Sequence, residues 1–83
     1  MQSTSKLPQP FIAAVIRLLR TQAGLTQEQL ALEVGVKPSE ISHLESGRRN
    51  PKLGTLQRLA EVLEVRCSYM LWLAEELEAT MGM

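Results

Sequence analysis

Between Thr26 and Ser46 the chain has room for two short helices and a bend, and little else. Thr26-Gln27-Glu28-Gln29 has the Thr-x-x-Gln form in which two side chains satisfy each other's backbone N–H groups, so a helix is predicted to open there. Leu30, Ala31 and Val34 follow at helical spacing and form its inward face. Gly35 comes directly after Val34 and supplies the left-handed backbone on which helices end. Pro38 suits the first turn of a helix and not its interior, so the next helix starts there and runs to about Ser46. Ile41 and Leu44 face inward, and Gly47 terminates it. Helices over about 26–34 and 38–46, joined by Val34-Gly35-Val36-Lys37, make a helix-turn-helix.

The flanking sequence supplies the rest of a helical domain. Pro8 and Pro10 end a polar arm and seed a first helix over about 10–22, with Ile12, Ile16 and Leu19 inward and Gly24 as its exit. Residues 47–54 read as a loop, holding two Gly, one Pro, one Asn and three cations. Leu53, Leu56, Leu59, Ala60 and Leu63 form the apolar stripe of a fourth helix over about 53–63. A fifth, over about 67–79, is apolar on much more than one face through Tyr69, Met70, Leu71, Trp72, Leu73 and Leu77. Strand formers are sparse, with one Phe, one Tyr and one Trp, and 83 residues leave no room for a second core. The expected fold is all-α: a compact five-helix bundle spanning 10–79, with a flexible arm at 1–9 and a tail at 80–83.

Composition excludes several function classes. One cysteine, Cys67, and one histidine, His43, lack the companions that a nucleophilic site or a zinc site requires, so no enzyme, metal or other cofactor is expected. No membrane span, secretory signal or small-molecule site is legible, and the expected compartment is the cytoplasm. Formal net charge is zero, which at first argues against a nucleic-acid partner. The distribution is less neutral than the sum: residues 1–54 carry seven Lys or Arg against four Glu, and residues 55–83 carry two Arg against five Glu. One face can therefore meet phosphate while the other stays away from it.

The stretch from Arg20 to Val65 resembles the XRE-like family of Cro and phage-repressor DNA-binding proteins. The resemblance rests on Arg20-x-x-x-Gly24-Leu25-Thr26-Gln27, Leu30-Ala31, Gly35-Val36, Ile41-Ser42, Glu45-x-Gly47 and Pro51, over more than half of the chain. It implies a lambda-repressor-like DNA-binding fold and a transcription regulator, bacterial or phage-encoded, whose partner is double-stranded DNA. A helix about 10–12 Å across fits the major groove, provided that a rigid neighbour fixes its angle.

By that resemblance, Pro38, Ser39, Glu40 and His43 are the base-reading positions on the third helix. A carboxylate such as Glu40 accepts from cytosine N4 but is repelled by phosphate. Gln27 is expected to bind a phosphate beside the amide groups that open the second helix. Lys37, Arg48, Arg49, Asn50 and Lys52 are the other expected phosphate contacts. Arg20 and Glu45 are expected to pair and so tie the first helix to the third. Lys37 and Pro38 depart from the Ser or Thr that commonly opens this family's reading helix, which removes a capping hydroxyl.

The apolar excess of the fifth helix points to assembly. Tyr69, Met70, Trp72, Leu73 and Leu77 are the expected interface of a homodimer, because a large exposed apolar patch is otherwise unfavourable. A two-fold dimer sets two reading helices about 34 Å apart, one turn of duplex. The rival reading is a protein-interaction module, antitoxin-like or an adaptor, with a toxin or other protein as partner and weak or no DNA binding. Zero net charge and Glu40 in the reading position favour the rival, whereas retention of Gln27, Arg48, Arg49 and Lys52 favours DNA.

Overall fold

The Thr26 hydroxyl accepts from the backbone N–H of Gln29 at 3.0 Å, and the Gln29 side chain accepts from the backbone N–H of Thr26 at 2.8 Å. This reciprocal cap starts the second of five helices in the computed structural model, which describes residues 9–81. In chain order they are α1 (Gln9–Gln22), α2 (Gln27–Val34), α3 (Pro38–Glu45), α4 (Leu53–Val62) and α5 (Cys67–Met81), and no strand occurs among the described residues. Pro38 opens α3, and Lys37 before it makes no side-chain cap, as the missing hydroxyl requires.

One core unites all five helices. Ile12, Val15 and Ile16 of α1, Leu30, Ala31 and Val34 of α2, and Ile41 and Leu44 of α3 are buried together. Leu56, Leu59 and Ala60 of α4, Leu63 at its end, and Met70 and Ala74 of α5 complete it. α3 packs against α1 and α2, and α5 packs chiefly on α1 and also on α4.

Several sequence expectations are corrected here. Leu53 does not join the apolar stripe: it is 65% exposed, because it opens α4 at the rim of the core, one turn short of Leu56. Gly54 lies inside α4 and not in the preceding loop. Met70, expected at the dimer interface, is fully enclosed in the chain's own core, so it reaches that surface only through its neighbours. α5 continues through Thr80 to Met81, since no glycine or proline interrupts it. Gln9 is the first helical residue, the remainder of the expected arm, 1–8, lies outside the described residues, and so do residues 82–83 of the expected tail.

The first four helices end with the same hydrogen-bond pattern. Leu25, Val36, Arg48 and Val65 donate their N–H groups back five residues, to the carbonyls of Arg20, Ala31, His43 and Ala60. This closure needs a left-handed residue just before the donor. Gly24, Gly35 and Gly47 supply it in three cases, but after α4 the residue is Glu64, at φ 60°. A non-glycine side chain in that conformation costs about 1–2 kcal/mol, partly offset on substitution by the greater freedom of unfolded glycine. Glu64→Gly should therefore stabilise the fold by about 0.5–1 kcal/mol and raise Tm by several degrees. A thermal melt showing no rise, or a fall, would refute this account of the α4 exit.

Candidate nucleic-acid interface

The roll of α3 about its own axis is fixed by Ile41 and Leu44, both fully buried. Pro38, Ser39 and Ser42 are therefore exposed, and Glu40 and His43 lie half-buried along the rim. The outer face of α3 is not covered by any other described part of the chain at Ser39 or Ser42.

What holds α3 at its angle is a charged clamp at its C-terminal end. Arg20 Nε donates to Glu45 Oε2 at 2.6 Å, and Arg20 Nη2 donates to Oε1 at 3.0 Å. Arg20 Nη1 donates to the Leu25 carbonyl at 2.8 Å, and Gln27 Nε2 donates to Glu45 Oε1 at 3.0 Å. The two charged side chains are only 12% and 4% exposed, so the clamp works away from bulk water. The hydrogen bond to Glu45 raises the Arg20 pKa above its ordinary value against the opposing effect of burial, and the guanidinium stays charged. The end of α1, the start of α2 and the end of α3 thus meet on one carboxylate.

Gln27 is accordingly committed through its amide nitrogen to Glu45. It lines a shallow concavity of about 290 Å³ together with Arg17, Arg20, Ser42, Glu45 and Ser46. Arg17 and Ser42 were not singled out from the sequence. Arg17 is an exposed cation one turn before Arg20, and Ser42 stands one turn after Ser39, so spacings of three were the available signals.

Past α3, Arg48, Arg49, Asn50 and Lys52 are all exposed, while Pro51 is buried and anchors their loop. Arg49 Nη1 donates to Glu40 Oε1 at 2.8 Å, which joins an expected phosphate contact to an expected base reader. Val36, Lys37, Ser39, Glu40, His43 and Arg49 surround a second concavity, of about 380 Å³, at the edge of α3. The structure thus brings Ser39, Glu40 and His43, three of the expected base readers, together with Lys37 and Arg49 of the expected phosphate contacts.

The aromatic residues of α5 stand apart from that cluster, on a helix packed chiefly on α1 and α4. Tyr69 and Trp72 are 42% and 51% exposed, and their rings stack with centroids 6.0 Å apart and planes 24° from parallel. Leu73 and Leu77 are partly buried against the core. Among the described residues no helix is long and apolar enough to cross a membrane.

Comparison with known proteins gives consistent matches. A model of the helix-turn-helix family matches residues 16–70. Antitoxin HipB of Escherichia coli K12 is 35% identical over 66 residues, which cover 78% of this chain and 75% of HipB. The clp gene regulator ClgR from Corynebacterium glutamicum has a similar structure, with a TM-score of 0.87 and 26% identity over 93% of this chain and 82% of that one. The restriction-modification controller protein C.AhdI from Aeromonas hydrophila gives a TM-score of 0.72 and 32% identity over 75% of this chain and 94% of that one.

Proposed function

The chain belongs to the helix-turn-helix family, and from that premise we propose that it is a sequence-specific DNA-binding transcription regulator that inserts α3 into the major groove as a homodimer. The observation that carries this reading is the placement of α3. Its apolar side is sunk in the core, its outer side is open at Ser39 and Ser42, and exposed Arg48, Arg49, Asn50 and Lys52 follow it directly. A helix held this way is suited to reading base edges while the cations beside it take the strands.

In this reading Pro38, Ser39, Glu40 and His43 meet the bases, and Gln27, Lys37, Arg48, Arg49, Asn50 and Lys52 meet phosphate. Gln27 acts within its bond to Glu45, so a phosphate docked there also touches the clamp that orients α3. The dimer contact falls to Tyr69, Trp72, Leu73 and Leu77, with Met70 supporting them from within. The likeness to an antitoxin favours a second reading, in which the same scaffold binds a protein partner, and both can hold for one molecule.

Titration of a random-sequence duplex at 50 and 200 mM salt separates the two. A regulator should bind with log affinity falling linearly against log salt, about 0.9 units per phosphate neutralised. Arg48→Ala should weaken binding to all duplexes alike and flatten that slope by about 0.9 per protomer. Salt-independent or absent binding would leave the protein-interaction reading in possession.

A further inference from the structure

We propose that Glu40 sets sequence specificity by competing with DNA phosphate for Arg49, so that the Arg49 contact to the strand forms fully only where Glu40 finds a hydrogen-bond donor in the groove. The inference rests on the DNA-binding reading above and deepens it. Its origin is the pairing of two side chains that duplex DNA would otherwise use separately: Arg49 Nη1 donates to Glu40 Oε1 at 2.8 Å.

The two ion pairs of the reading head differ in kind. Arg20 and Glu45 are bonded twice, with side chains 12% and 4% exposed, and are built to stay together. Arg49 and Glu40 share one bond, with side chains 59% and 29% exposed. A pair of that kind is weak and readily exchanged for another partner of the same charge. Phosphate is such a partner for the guanidinium, since Arg binds carboxylate and phosphate oxygens in similar geometry.

Exchange has a consequence for Glu40. Once Arg49 turns to a phosphate, the carboxylate is left facing the groove, where the surrounding strands are negative. A cytosine N4 or adenine N6 amino group can donate a hydrogen bond to that carboxylate, whereas guanine and thymine offer it only acceptors. On a site with cytosine or adenine opposite Glu40, both residues are satisfied at once. On other sequences, either the pair persists and the phosphate contact is forfeited, or the carboxylate is stranded. Glu40 thus weakens binding to arbitrary duplex more than binding to the correct site. Lys37, Ser39 and His43 line the same concavity and supply its remaining polar wall.

The test compares wild type, E40Q, R49A and E40Q/R49A on two probes: a random-sequence duplex, and the duplex that wild type selects from a randomised pool. The expected result is that E40Q binds random duplex about 2- to 20-fold more tightly at 0.1 M salt, with a slope steeper by up to about 0.9 per protomer. Its preference for the selected duplex should shrink. In the R49A background, E40Q should give less than half of that gain on a logarithmic scale. A gain at least half as large without Arg49 would show that Glu40 acts by general repulsion and would overturn the proposal. Unchanged affinity and slope in E40Q would overturn it too, with the DNA-binding reading intact. If wild type itself binds neither probe, the functional reading fails first and this inference with it. Circular dichroism of all four proteins checks that each is folded, as the exposure of both residues leads one to expect.

Discussion

Arg20→Ala should lower the melting temperature by about ten degrees or more, before any change in DNA preference can be measured. The substitution removes both arginine donors from Glu45 and the donor from the Leu25 carbonyl. Glu45, 4% exposed, is left with the Gln27 amide alone. Stranding one partner of a fully buried ion pair costs about 3–5 kcal/mol; this pair is part-buried, so about 2–3 kcal/mol is expected, and each kcal/mol moves Tm by roughly 4–8 °C in a domain of this size. Replacing both partners with apolar side chains, as in Arg20→Met with Glu45→Met, should recover much of that loss, since no charge is then stranded. Thermal denaturation followed by circular dichroism measures both, and an unaltered Tm in Arg20→Ala would contradict the account. If the double variant is stable yet reads DNA poorly, the clamp serves angle more than stability.

Trp72→Glu should turn the proposed dimer into a monomer and reduce affinity for the selected duplex about 100-fold or more. Trp72 is 51% exposed and stacks on Tyr69, so the domain itself should remain folded. A glutamate there would add charge beside Glu75 and Glu76 of the same helix and face its own copy across a two-fold axis. Two linked reading helices gain about 10²–10⁴ in affinity over one, and separation forfeits that gain. Sedimentation and duplex titration of both proteins would decide the matter. A wild-type mass of one chain, with equal affinities, would remove the dimer from the proposed function.

Sequence was most informative where chemistry is local. The Thr26 and Gln29 cap, the left-handed Gly35 and the Pro38 start all follow from one residue type acting on its neighbours, and α2 and α3 lie where these signals put them. Legibility fell where the outcome depends on distant packing. Leu53 and Met70 are both apolar residues in helical register, and only the position of the core shows that the first is exposed and the second enclosed. Glu64 carries no compositional sign of its left-handed backbone, because the three comparable exits use glycine. The pairing of Arg20 with Glu45, 25 residues apart, was expected only through family resemblance. The bond between Glu40 and Arg49 joins residues nine apart with separate expected tasks toward DNA, and no local pattern signals it.

The most extensive helix pairing joins α1 to α5, the first element to the last. During synthesis, then, α3 emerges from the ribosome before its scaffold can close, and the side of α1 that packs on α5 stays uncovered until α5 arrives. A chain cut short ahead of α5 would present part of that greasy flank to proteases and chaperones, so a stop codon placed before Cys67 should abolish the protein outright and leave no stable truncated form.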